Sequence, residues 1–239
     1  MRRERGIKLL ELAADASGTF RERINRFLGV VELANGVAHV HIHDPGRLEE
    51  LLLSGNEVLL KRAKGSARKT GWDLLAARGK SEWVFMHSGY HRRIAEAIFC
   101  DPEASPFGRL DDIRAEVKVG KSRLDFELAT PSSDRVLVEV KGCTLAVDGV
   151  ALFPDAPTVR GRKHLEELTR LASGGVRTAV VFLVFRMDAE RLAPNADTDP
   201  AFAWAFWEAV SRGVEMHPLV LSYDGSCVRF VRRIGVCSG

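Results

Sequence analysis

Between residues 114 and 141, three runs with period-two alternation, RAEVKV, SRLDFEL and RVLVEVK, are separated by so few residues that only tight turns can join them. That spacing dictates an antiparallel meander, and turn length then sets which side chains face one another. With Gly120-Lys121 as a two-residue type II′ turn, Val119 pairs with Ser122 and Glu116 falls opposite Asp125. With Pro131-Ser132-Ser133 as a three-residue loop, Thr130 pairs with Asp134 and Asp125 falls opposite Glu139. Leu124, Phe126 and Leu128 then form one face and Arg123, Asp125 and Glu127 the other, while Val136, Val138 and Val140 oppose Leu137, Glu139 and Lys141. Three acids line up on the polar face at spacings of about 4.5–5.5 Å, which destabilises a sheet unless something offsets the repulsion.

A divalent cation would offset it. Mg2+ or Mn2+ takes carboxylate, water and phosphate oxygens, so Glu116, Asp125 and Glu139 are candidate metal ligands and catalytic residues. Lys141 points to the same face, where its ammonium can position a water or stabilise charge on a phosphate. The same residues also suit a solvated face on which Arg123 and Lys141 form surface ion pairs worth about 0–1 kcal/mol. Spacing alone leaves both readings open.

Around this meander the chain divides in two. Residues 20–86 read as short strands: FLGVVELA and VAHVHIH flank Asn35-Gly36, a hairpin signal, and after Pro45-Gly46 a short helical turn leads to NEVLLKR, GWDLLAA and SEWVFM. About five strands fit a small barrel. From SGYHRRIAEAIFC onward the pattern is helix, three strands, helix, strand, helix, strand, an α/β (α+β) arrangement with a mixed sheet. The helix VRGRKHLEELTRLA stops at Gly174-Gly175, RTAVVFLVF reads as a central strand covered on both faces, and Asp199-Pro200 caps the last helix. The expected domains are residues 1–85 and 86–239.

The formal net charge is only +3, yet residues 61–80 hold seven Lys/Arg against one acid. Lys61, Arg62, Lys64, Arg68 and Lys69 can track a polyanion, or form a solvated basic face with no partner. Arg160, Lys163 and His164 open a helix beside FPDAPT, where a helix N-terminus favours phosphate. Asp155 in that loop either joins the metal shell or fixes its own turn. Phe27, Trp72, Trp83 and Phe85 are candidates for base stacking or for core, Trp204 and Trp207 read as packing, and two of His39, His41 and His43 could chelate a metal. The four cysteines show no metal-ligand spacing, no apolar run approaches the ~20 residues of a membrane span, and no signal peptide is evident, so a cytoplasmic protein is expected.

RINRFLGVVEL, HDPGRLEELL, SRLDFEL with VEVKGCTL, FPDAPTVRGRKHLEEL and RGVE at 212–215 together resemble the sugar fermentation stimulation protein family over essentially the whole chain. The resemblance implies DNA binding, an N-terminal OB-like barrel and a C-terminal domain similar to PD-(D/E)XK nucleases, with a mixed β-sheet flanked by helices. On it, Asp125 and Glu139-x-Lys141 occupy the nuclease motif, with Glu116 on the preceding strand and Glu96 on the first helix. The partner it implies is nucleic acid, DNA favoured over RNA, and no membrane, with a homodimer left open. A Mg2+-dependent nuclease and a non-catalytic DNA-binding regulator of sugar metabolism on a vestigial nuclease fold both fit, because fold kinship does not establish activity.

Overall fold

A computed structural model of the chain describes residues 6–65, 68–120, 122–132 and 134–238. After β1 (Ile7–Glu11), the strands β2 (Ala16–Asn25), β3 (Leu28–Leu33), β4 (Gly36–His41), β5 (Glu57–Arg62) and β6 (Trp72–Arg78) form the first part. Strand β2 pairs antiparallel with both β3 and β5, β3 with β4, and β5 with β6. The circuit closes where β4 meets β6 in parallel, through Val40–Trp72 and His41–Asp73. This is a five-stranded OB-like barrel, and its interior is filled by side chains such as Phe20, Val31, Val40, Val58, Leu60 and Leu74, none of which is exposed.

The hairpin between β3 and β4 differs from the Asn35-Gly36 turn in one respect. Leu33 pairs with Gly36, so Ala34 and Asn35 are the central residues, and Gly36 uses its positive φ of +126° to start the returning strand. The segment after Pro45-Gly46 forms consecutive turns, with the Leu52 N–H donating to the Leu48 carbonyl, and no helix.

After the short strand β7 (Trp83–Phe85) come α1 (His91–Cys100), β8 (Asp112–Val119), β9 (Ser122–Ala129), β10 (Arg135–Cys143), β11 (Ala146–Val147), β12 (Val150–Phe153), α2 (Val159–Ser173), β13 (Arg177–Val184), β14 (Arg191–Pro194), α3 (Pro200–Ser211), β15 (Glu215–Tyr223), β16 (Cys227–Arg233) and β17 (Gly235–Val236). Strands β10, β13 and β15 are parallel, and β9 and β8 extend the sheet antiparallel beyond β10. Parallel neighbours need crossover connections, which α2 and α3 supply. Thr178–Val184 of β13 are all buried, as a strand covered on both faces requires. Strands β11, β12, β14 and β17 make a separate small sheet.

One core cluster lies under α2 and α3 and includes Leu124, Leu137, Leu165, Phe182 and Phe202. The other runs without a break from barrel residues Phe20 and Val31 to Phe126, Val138 and Leu219, and includes Ile94 and Ile98 of α1. The sheet is also continuous, since β7 pairs with β6 on one side and β15 on the other, and β1 pairs with β16. Trp207 packs on the second cluster, whereas Trp204 is 69% exposed, which corrects its reading as packing. No helix among the described residues is long and apolar enough to cross a membrane.

Two histidines at the junction carry a pH dependence. Burial pulls His91 down to about 4, and burial with the neighbouring His43 pulls His87 down to about 3. Both rings are neutral in the folded chain at pH 7, while the unfolded chain takes up their protons near pH 6.5. Their contribution to stability is therefore present above pH 6.5 and is lost as pH falls from there toward 4 for His91 and 3 for His87. Urea unfolding of His91→Asn across this range should show a shallower decline than the parent.

Candidate functional site

Strands β9 and β10 pair from Ala129–Arg135 as far as Phe126–Val138, and there the ladder stops. At the next position Asp125 stands opposite Glu139, as turn counting places it. Its carboxylate replaces the missing backbone bond, accepting the Val140 N–H at 2.8 Å. The β8–β9 ladder keeps one register through Val119–Ser122, Val117–Leu124 and Ala115–Phe126 but omits the Glu116–Asp125 pair between them. Glu116 has φ +56°, a left-handed conformation that kinks a strand. Beyond the kink Leu124 enters the cluster under α2, while Phe126 and Leu128 stay in the one under α1. The expected single face of Leu124, Phe126 and Leu128 is thus broken at Asp125, where the hairpin passes from one layer to the other. The turn residue Lys121 and the loop residue Ser133 lie outside the described residues.

Glu139 sits mid-strand in β10, opposite Val180 of β13, and is 3% exposed. Its Oε1 accepts from Lys141 Nζ at 2.6 Å and from His164 Nδ1. A carboxylate only accepts here, so Nδ1 carries the proton. Its Oε2 is buried and has no hydrogen-bond partner among the described residues. Burial alone would raise the Glu139 carboxyl, but the His164 hydrogen bond and the Lys141 charge outweigh it and hold the group below its ordinary value. Asp125 goes the other way: burial and then the Glu139 charge raise it against the pull of the Val140 N–H.

The sequence of α2 explains why a histidine reaches this point. Thr158 caps the helix, its Oγ1 accepting the Gly161 N–H at 3.0 Å. Gly161, His164, Leu165 and Leu168 then recur at helical spacing along the inner face, beside Glu139, Lys141 and Phe182. Arg160 and Lys163 fall on the exposed face.

A cleft of about 250 Å3 opens beside Lys141, lined by Gly142, Asp155, His91, Arg26 and Asp44 among others. Asp155 joins barrel to sheet, its Oδ2 accepting the Leu48 N–H at 3.4 Å and its carboxylate filling the space a side chain at Gly46 would need. Burial raises Asp155, and burial takes Asp44 up to about 7. Arg26, Asp44 and His91 were not anticipated as site residues. Only Asp44 has a local signal, the Asp-Pro-Gly turn in which its Oδ1 accepts the Gly46 N–H at 2.8 Å.

Other expected residues lie apart. Glu116 is half exposed and binds Arg92 at 2.9 Å and Arg123 at 3.4 Å, and the same Arg92 binds Glu96 at 3.0 Å. In the basic stretch Lys61 pairs with Asp15 at 2.8 Å, Arg68 forks onto Asp73, and Arg62 lies 4.8 Å over the Trp72 ring. Lys64 and Lys69 are exposed. Phe85 is fully buried, Trp72 and Trp83 pack against the core, and Phe27 is 47% exposed with Arg26 over its ring.

The fold and site define a barrel-plus-mixed-sheet protein with an acid–acid–lysine cluster where β9 leaves β10. The chain belongs to the sugar fermentation stimulation protein family: residues 22–86 match the family's N-terminal OB domain and residues 89–226 its RE domain. A sugar fermentation stimulation protein homolog of Methanococcoides burtonii is 41% identical, covering 96% of this chain and 95% of that protein. One from Thermotoga neapolitana is 44% identical, covering 95% and 98%. The solved structure of Pyrococcus furiosus SfsA in complex with Ca2+ is 28% identical and superposes with a TM-score of 0.86, covering 97% of this chain and all of that one.

Removing the Asp125 charge should relieve its repulsion with Glu139 while Asn keeps an acceptor for the Val140 N–H. Metal-free Asp125→Asn is therefore expected to melt above the parent at pH 7, read by calorimetry in the presence of a chelator.

Proposed function

We propose that the chain is a Mg2+- or Mn2+-dependent phosphodiesterase acting on nucleic acid, with DNA favoured as the substrate. The observation that carries this reading is Glu139 Oε2, a carboxylate oxygen buried with no hydrogen-bond partner among the described residues, on a residue whose charge raises the Asp125 carboxyl. A buried acceptor oxygen left unsatisfied costs about 1–3 kcal/mol, and a hard cation fits both that oxygen and the neighbouring Asp125 carboxylate. Asp125 and Glu139 would hold the ion, and Glu116 would join them only on release from Arg92 and Arg123. A bound Mg2+ would neutralise charge on a phosphate and activate a water. The Pyrococcus furiosus relative was solved in complex with Ca2+, a hard cation that takes oxygen ligands, which supports a hard-cation site in this chain.

The chain's own residues supply the remaining work. Lys141 holds an ammonium between Glu139 and the cleft, where it steadies an attacking water or a phosphate oxygen. His164 fixes the rotamer of Glu139, a positioning role. Arg160 and Lys163 at the exposed start of α2, with Arg62, Lys64 and Lys69 on the barrel, provide phosphate contacts along the substrate. Lys61 and Arg68 are committed to Asp15 and Asp73, so they contribute less.

Asp125→Ala should lose both Mn2+ uptake and cleavage, while Lys141→Ala keeps Mn2+ and DNA binding and loses cleavage by about 100-fold or more. Labelled DNA and RNA cleavage beside calorimetric titration checks both. If Asp125→Ala leaves cleavage unchanged, the mechanism is wrong. A second reading, a non-catalytic DNA-binding protein, is favoured by one observation: the third acid, Glu116, is tied up by two arginines. That reading predicts salt-sensitive DNA binding with neither metal uptake nor cleavage.

A further inference from the structure

A second cluster lies outside this cleft. His43 follows the end of β4, Asp73 stands at the start of β6, and His87 belongs to the segment between the residues matched to the OB domain and those matched to the RE domain. One ligating atom from each lies within 4.8 Å of the other two, the one such trio of His, Cys, Asp or Glu among the described residues. Asp73 and His87 are 7% and 6% exposed. The two imidazoles stack at 3.6 Å, and His43 Nε2 is 3.1 Å from Asp73 Oδ1 yet out of line for a hydrogen bond. His87 Nδ1 is buried with no partner among the described residues. Two buried nitrogens with no hydrogen-bond partner among the described residues are costly unless a ligand completes them.

We propose that His43, Asp73 and His87 form a binding site for a borderline transition-metal ion such as Zn2+, which clips the seam of the barrel to the start of the second part. Two imidazole nitrogens and one carboxylate select Zn2+ or Co2+ over Mg2+. Burial keeps both histidines below their ordinary value, in the neutral form that ligates. Arg68 forks onto both Asp73 oxygens, so metal binding takes one of them from the guanidinium while the other keeps the outer hydrogen bond that orients the carboxylate. Ligands at ~2.0–2.2 Å from one ion bind through lone pairs in the ring plane, so the two imidazoles must turn out of their stack as the three atoms draw together. Three protein ligands leave a fourth position for water on the partly exposed side of His43. The site links the end of β4 and the start of β6, where the barrel closes in parallel, to His87 beyond β7. Its predicted role is to fix the barrel against the cleft.

The test uses the full chain, stripped of metal, with Asp125→Asn and Glu139→Gln introduced so that the carboxylate site does not compete. Titration with Co2+ should show one equivalent bound with the visible absorption bands of a low-coordinate ion, and Zn2+ should displace it. Zn2+ should raise the melting temperature and Mg2+ should not. His87→Gln and His43→Gln should each weaken Co2+ binding tenfold or more. Retention of a cooperative metal-free melting transition in either variant shows that it has folded. Absence of Co2+ uptake in the parent background, or uptake unchanged in both variants, would overturn the proposal and leave a buried water as the partner of His87.

Discussion

A carboxylate buried in a mixed sheet, on the strand where parallel pairing meets antiparallel, is the constraint around which the second half of this protein is arranged. Ionised Glu139 has left water at a cost of several kcal/mol, and its neighbours must answer that cost with charge and hydrogen bonds. Lys141, two residues along the same strand face, and His164, delivered by the capped first turns of α2, both do so, and both act on Oε1. Oε2 is left buried with no hydrogen-bond partner among the described residues. The asymmetry separates this arrangement from a structural ion pair, in which all the lone pairs would be used.

The backbone is shaped for the same end. Strand β9 leaves β10 at Asp125, whose side chain takes over the bond to Val140, and the left-handed Glu116 on β8 opens the hairpin at the same level. Beside it the barrel is attached by an unbroken core and by Asp155 pressed against Gly46, so the cleft between Arg26, His91 and Lys141 has rigid walls.

Much of this was legible because local rules govern it. Turn length and alternation placed Asp125 opposite Glu139, since hairpin register is a counting problem once the turns are recognised. Glu116 was counted to the correct position but not to its side-chain direction, because a positive φ in a non-glycine strand residue leaves no mark in the sequence. The fate of the basic stretch was likewise hidden: Lys61 and Arg68 meet acids that only tertiary structure brings near. His164 was visible as a polar group at a helix start, yet its contact with Glu139 depends on how α2 crosses the sheet. The small hairpin at 146–153 was overlooked although Asp148-Gly149, both at positive φ, carries the usual turn signal.

The central claim is that Asp125 and Glu139 converge on one oxygen-seeking cation. Diffraction from crystals grown with Mn2+, recorded at the manganese absorption edge, tests it most directly. An anomalous peak within about 2.0–2.4 Å of carboxylate oxygens from both residues is the expected result. A fully occupied Mn2+ elsewhere, with Lys141 and His164 still closed on Glu139, would contradict it and leave the cluster as a structural network.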